Sequence, residues 1–203
     1  MMLKHKMPAR TTATTAGFRI AFWATAAVML VSAAAPRAHA DAKADLAAVE
    51  AKIAAQFPAV PNMQPDALAA KISAAEPVLI FDVREEAEYA VSRLAGAVRV
   101  APNADPAAFV ASIAANAKGK TIVFYCSVGM RSSRLASAAS PLLTAKWASS
   151  VNNLSGGIFR WSNEGRPLEK GTASPGKASN SGIPVHPYNS TWGRMIEEPK
   201  NPS

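Results

Sequence analysis

Internal disulfides are excluded from the outset: of the 203 residues only Cys126 is a cysteine, so no second thiol exists for it to pair with. Stability must come from a packed core, and the ~160 residues that follow the N-terminal segment are enough to bury one. Acidic residues are missing from residues 1–40, which carry Lys4, Lys6, Arg10, Arg19 and Arg37. The formal charge of +8 therefore misleads, because outside that segment 17 basic residues face 14 acidic ones. The basicity belongs to the N-terminus and implies no nucleic-acid surface. A membrane-length apolar run is lacking too. Ile20 to Ala35 spans 16 residues, short of the ~20 that cross a bilayer.

What the N-terminus does have is the layout of a secretory signal. A basic region, the apolar run and Ala38-His39-Ala40 precede Asp41, which predicts cleavage after Ala40 and a periplasmic or secreted protein. Met2 or Met7 could serve as the start, and an uncleaved membrane anchor is the alternative. An exported domain ordinarily uses cysteines in pairs. A lone thiol there is either buried or working, and composition does not choose between the two.

Residues 41–56 place Leu46, Val49 and Ile53 at helical spacing, with Phe57 continuing the series. Pro58, Pro61 and Pro65 break the pattern, and Asp66 to Ala75 reads as a short helix. Alternation then sets in. Strands are expected at 78–83, 97–100, 120–125 and 150–154, with helices at 85–92, 106–117, 131–139 and 158–164. The stretch Lys120 to Tyr125 is apolar on both faces, the mark of a central strand in a parallel sheet. The expected fold is α/β, three layers with a central parallel sheet flanked by helices. Residues 171–184 read as a Gly/Ser/Pro linker, and 185–203 as a tail that docks on the domain or on a partner.

Cys126 sits at the end of the most buried-looking strand and is followed by Ser127, Val128, Gly129, Met130, Arg131 and Ser132, then helix. A loop from a strand end to a helix N-terminus turns several N–H groups inward as a nest for negative charge. Gly129 supplies the backbone freedom for the curl, and the amides, helix dipole and Arg131 would favour a thiolate. The alternative is a small buried hydrophobe, the common role of a lone cysteine.

Four segments resemble the rhodanese (sulfurtransferase) family, in its order: Asp82-Val83-Arg84 with Glu88-Tyr89; Gly96-Ala97; Tyr125 to Ser133; and Asn153 to Trp161 with Gly165-Arg166-Pro167. They bound a rhodanese-like domain at 65–170, preceded at 41–64 by a helix and a Pro-rich connection. The final HPYN…WG segment looks like a tail seen in some exported single-domain members. The resemblance implies a ping-pong reaction, in which Cys126 takes a sulfane sulfur from a donor such as thiosulfate. It then hands that sulfur to cyanide, a small thiol or a protein thiol. Backbone N–H groups from Ser127 to Arg131 would hold the persulfide, and neither a metal nor an organic cofactor is required. Asp82 would brace the loop, with Arg84 and Ser132 in supporting places.

Two rivals stand beside it: a sulfur-binding or interaction module that does not turn over, and cysteine-phosphatase chemistry. Phosphatases on this fold place five residues between cysteine and arginine, whereas Ser127 to Met130 are four. Arg131 could instead be a surface charge, Arg84 an ordinary strand-end partner of Asp82, and Trp161 a core residue. Gly156 and Gly157 are expected to permit a tight turn, and His186 and Trp192 either cover the pocket or simply dock. The chain departs from the family at Arg93, where many members have histidine, and at Lys146, where glycine is common. Ser127 and Val128 are neutral where thiosulfate-specialised members carry basic residues. Thiosulfate is thus expected to serve as an assay donor without being the natural one.

Overall fold

The computed structural model describes residues 35–171 and 182–197, with side chains from Asp41 onward. Residues 20–34 of the apolar run, 172–181 of the expected linker and 198–203 of the expected tail lie outside the described residues. Helix α1 (Ala35–Gln56) starts ahead of the expected residue 41. Strand β1 (Asn62–Met63) follows, then α2 (Pro65–Ser73), β2 (Val78–Asp82) and α3 (Glu86–Val91). Next come β3 (Ser92–Arg93), β4 (Val98–Arg99), α4 (Pro106–Ala117) and β5 (Thr121–Tyr125). The order closes with α5 (Met130–Thr144), β6 (Ser150–Leu154), α6 (Gly157–Asn163), β7 (Glu169–Lys170) and the short α7 (Ser190–Gly193).

Five strands form one sheet in the order β1-β6-β5-β2-β4, every pair parallel. The strand predicted to be central is central. Its alternate residues feed two different cores, as the period of two requires. Val123 and Tyr125 join Leu46 and Ile53 of α1, Leu68 of α2 and Ile158 of α6. Ile122 and Phe124 join Phe109 of α4 and Leu135 and Leu143 of α5. Phe81, Phe109 and Phe124 pack ring on ring across that second core, with the first pair edge-on at 5.0 Å. Each such fully buried side chain contributes roughly 1.5–3 kcal/mol. The fold is therefore the expected parallel sheet with helices on both faces.

The structure departs from the expected elements most at α5, at β1 and in a ribbon of β3 with β7. Helix α5 begins at Met130, one residue early, and runs through Pro141 to Thr144 rather than stopping at Ala139. Leu143, fully buried, extends its apolar face, so packing overrides the single hydrogen bond that proline removes. Strand β1 lies where only a connection was expected. It pairs with β6 through Asn62↔Asn153 and Met63↔Leu154. A small antiparallel ribbon, β3 with β7, joins Ser92↔Lys170 and Arg93↔Glu169. Arg93, the departure noted in the sequence, donates to the Glu169 carboxylate at 3.1 Å and stacks on Tyr89. Lys146 falls just past the end of α5 and needs no glycine geometry, since the cap, Ala145, is ordinary right-handed backbone.

Candidate active site

At the carboxyl end of a parallel sheet the chain leaves each strand through a loop, and the loop after a central strand is walled by its neighbours. Here that loop is Cys126 to Gly129. Cys126 is only 1% exposed. Gly129 holds a left-handed φ of +109° and starts α5, a turn that a side chain would strain.

The direction of the loop's dipoles is set from outside it. The carbonyls of Cys126 and Ser127 accept hydrogen bonds from the Ile158 and Phe159 N–H groups, at 2.9 and 3.1 Å, in the first turn of α6. A trans peptide points its N–H opposite to its C=O, so the N–H groups of Ser127 and Val128 are turned away from α6. Gly129 N–H donates to Cys126 Sγ at 3.2 Å. The first turn of α5 adds amides that have no acceptor inside the helix. This contact with α6 explains Gly157, because a Cβ there would sit 2.3 Å from the Cys126 carbonyl oxygen. Gly157 serves close approach of two backbones as well as the turn expected of it.

Arg131 stands in the first turn of α5, turned toward a carboxylate from α3. Its Nη1 and Nη2 donate to Glu88 Oε2 and Oε1 at 2.7 and 2.8 Å, a bidentate pair. Nη2 also donates to Ser127 Oγ at 2.9 Å, while that hydroxyl donates to Glu88 Oε1 at 2.8 Å. Burial disfavours the charged form of both groups. Burial opposes the ionised Glu88, yet the bonds from Arg131, the Glu85 N–H and Ser127 outweigh it and hold its pKa below the ordinary value. Burial likewise opposes the Arg131 cation, yet Glu88 and the nearby Cys126 sulfur raise its pKa. The pair is locked as ions.

Ser132 lies behind the loop. Its hydroxyl donates to Asn153 Oδ1 at 2.7 Å, and Asn153 Nδ2 donates to Asn62 Oδ1 at 2.9 Å, tying α5 to β6 and β1. Asp82 and Arg84 form a separate, sealed cluster. Arg84 donates from Nε and Nη2 to the two Asp82 oxygens at 2.8 and 2.7 Å, and from Nη2 to the Ser92 carbonyl at 2.6 Å. Tyr125 OH donates to Asp82 Oδ2 at 2.6 Å and accepts from Leu94 N–H at 3.2 Å. Asp82, Arg84 and Tyr125 are all at 0% exposure. Burial and the Asp82 charge push the Tyr125 hydroxyl well above its usual pKa, so it stays a neutral donor. Asp82 thus meets the loop through Tyr125, the residue before the cysteine, and the hydrogen bonds of Arg84 go to Asp82 and Ser92.

A pocket of about 180 Å³ opens over Cys126, floored by Ser127, Val128, Met130 and Arg131. Its remaining walls are Tyr188 and Trp192, from the far end of the chain. The tail is fastened on both sides of the pocket: Ser92 Oγ donates to the Pro184 carbonyl at 2.8 Å, and Asn163 Nδ2 donates to the Met195 carbonyl at 2.7 Å. Ile183, Val185 and Met195 are buried. Tyr188 adopts a left-handed φ of +63°, with its N–H donating to His186 Nδ1 at 3.0 Å. That turn lays its ring 4.9 Å from the Arg131 guanidinium carbon. Trp192 lines the pocket as one of its two expected places allowed; His186 does not. Trp161 is 3% exposed in the core. Hollows of about 380 Å³ lie beside β4 and between α4 and α5, and neither contains the thiol.

Sequence reasoning placed Cys126, Ser127, Val128, Gly129, Met130 and Arg131 together, and the structure does bring them together. It missed Glu88 and Tyr188. Glu88 stood inside a quoted motif, but its partner is 43 residues away. Tyr188 carried only the signal of an aromatic in a polar tail.

The family model described as "Rhodanese-like domain" matches residues 64–164. The chain belongs to the rhodanese-like family. Among solved structures, a thiosulfate sulfurtransferase from Pseudomonas aeruginosa aligns with a TM-score of 0.50 at 20% identity, over 70% of this chain. This chain spans only 24% of that protein. A protein of unknown function, described as a possible tyrosine phosphatase, from Rhodopseudomonas palustris aligns with a TM-score of 0.44 at 19% identity, over 61% of this chain and 93% of its own. A protein from Staphylococcus saprophyticus aligns at 28% identity and a TM-score of 0.40, over 54% of this chain and 99% of its own. No match is found among the curated proteins. The likeness to the Pseudomonas aeruginosa structure shows the fold alone.

Proposed function

We propose that this rhodanese-like protein is a sulfurtransferase that carries sulfane sulfur as a persulfide on Cys126. The observation that carries the reading is the Gly129 N–H bonded to Sγ in a loop whose carbonyls are held away by α6. Such amides stabilise negative charge on the sulfur it holds and on a second sulfur attached to it. In the first half-reaction the Cys126 thiolate attacks the outer sulfur of thiosulfate. An Sγ–S bond forms, the donor's S–S bond breaks, and its electron pair departs with sulfite. In the second, a thiolate or cyanide attacks the outer sulfur and Cys126 leaves as thiolate, ready to repeat.

Phosphate chemistry fits less well. The loop is one residue shorter than a phosphatase loop, and both Arg131 Nη atoms are bound to Glu88. The non-turnover module keeps one observation in its favour, the near-complete burial of Cys126 beneath the tail. Export is proposed on the N-terminal sequence alone.

The test is mass spectrometry of the intact protein after incubation with sulfane donors. One added sulfur atom is expected on wild type and none on Cys126→Ser, with thiocyanate or an acceptor persulfide formed only by wild type. Absence of the adduct with inorganic and organic donors alike would refute sulfur transfer. An adduct that no thiol or cyanide can discharge would leave the module instead.

A further inference from the structure

The proposed transfer leaves the donor unnamed, and the pocket's charge and lining select among donor classes. Among the described residues Arg131 is the only cation lining it. Both of its Nη atoms are held by Glu88, which is 2% exposed, and one of its faces lies against the Tyr188 ring. Its charge is largely spent within the protein. With Cys126 ionised, the group of Cys126, Arg131 and Glu88 carries a net negative charge. A dianion such as thiosulfate must therefore approach with only amides and the α5 dipole to offset the repulsion.

Apart from Ser127, whose hydroxyl is held by Glu88 and Arg131, the rest of the pocket is apolar. Val128, Met130, Tyr188 and Trp192 line it, and all four present hydrocarbon, sulfur or ring surface. Its volume of about 180 Å³ is below that of sites for drug-sized ligands, roughly 300 Å³ and upward. An apolar cavity of ~150 Å³ admits benzene. The space over the thiol thus matches one ring or a short alkyl group.

We propose that, if Cys126 transfers sulfur as read above, its donor is a monoanionic organic sulfane compound with one small apolar group, selected by Tyr188 and Trp192 of the tail. The class is R–SO2–S⁻ or R–S–S⁻. With a thiosulfonate, the Cys126 thiolate bonds to the outer sulfur while the sulfonyl–sulfur bond breaks. The electron pair leaves as the sulfinate R–SO2⁻, so two negative charges enter and two emerge. Cysteine sulfur is oxidised to the persulfide level and the sulfonyl group is reduced to sulfinate. The R group packs between Met130 and Trp192, while the sulfane end meets the amides.

The experiment measures kcat/KM of the protein with benzenethiosulfonate, methanethiosulfonate and thiosulfate, each divided by that donor's rate with a free small thiol. Wild type is expected to prefer the phenyl donor to the methyl donor by at least about tenfold, from the apolar area the ring buries. It should prefer phenyl to thiosulfate by more. Trp192→Ala should lower the phenyl-to-methyl ratio about tenfold, and Trp192→Phe should restore most of it. Should Trp192→Ala fail to fold, the wild-type ratios decide alone. Equal or inverted ratios overturn the assignment of donor class while leaving sulfur transfer intact. Failure of every donor to load Cys126 overturns sulfur transfer itself, an outcome distinguishable because it needs no ratio.

Discussion

The pairs Asp82–Arg84 and Glu88–Arg131 both lie at the carboxyl edge of the sheet, and they differ in what surrounds them. Asp82–Arg84 is at 0% exposure on both sides, closed by Tyr125 and the Ser92 carbonyl. Glu88–Arg131 is closed on the Glu88 side and 20% open at the Arg131 side chain, where it meets the thiol and the tail. The resemblance to the family implies that Asp82 braces the loop, with Arg84 either supporting it or standing as its ordinary strand-end partner. The structure puts the second pair in contact with the loop. An ion pair without access to solvent or ligand fixes geometry, whereas one with an open edge also sets the charge that an arriving substrate meets.

The sealed pair offers the larger effect on stability. Removing one member of a buried pair strands the other charge, at a cost of about 3–5 kcal/mol. Arg84→Met should therefore lower the thermal midpoint by roughly 10 °C for a domain of this size, read by calorimetry or circular dichroism. The ratio of donor preferences, measured well below that midpoint, should stay as in wild type. A midpoint within ~2 °C of wild type would show that the pair is not structural.

The open pair predicts a smaller loss and a pH signature. Glu88 has its folded pKa below the ordinary value, so its stabilising contribution is full above the unfolded carboxylate pKa, about 4.3. That contribution is lost as pH falls through the lower folded value. Glu88→Gln should cost about 1–3 kcal/mol at pH 7, and the gap from wild type should close as pH drops below about 4.3. It should also unmask the Arg131 charge, raising thiosulfate use relative to the phenyl donor by several-fold. Midpoints of both proteins across pH 3 to 7, with the donor ratio at pH 7, check it. A gap that widens toward acid would break the comparison.

How much of this was legible in the sequence follows from the range of the interactions. Continuous apolar runs announced β2 and β5, because a strand buried on both faces needs no distant partner to be recognised. The Cys126–Arg131 loop was legible for a similar reason, as its residues are consecutive. Strand β1, two residues long and containing Asn62, is defined only by its register with β6. Ribbon β3–β7 joins residues 76 apart at Arg93 and Glu169. Glu88 is legible locally as the third residue of a capping box with Glu85. Its role toward Arg131 becomes visible only when α3 is brought against the loop.

Tyr188 gives the smallest and most discriminating comparison. Its ring adds a cation–π contact to Arg131, worth about 0.5–1 kcal/mol at a half-exposed site, while its left-handed backbone costs about 1–2 kcal/mol. Tyr188→Gly removes both terms, so the thermal midpoint should move by no more than roughly 4 °C in either direction. Donor preference should respond more than stability, because glycine uncovers one face of Arg131 and removes part of the apolar wall in the same step. Thiosulfate should gain on the phenyl donor by about threefold, the fold-change matching the ~0.5–1 kcal/mol of the lost contact. A large fall in midpoint without a change in that ratio would assign Tyr188 to fastening the tail. The selecting wall would then be Trp192 alone.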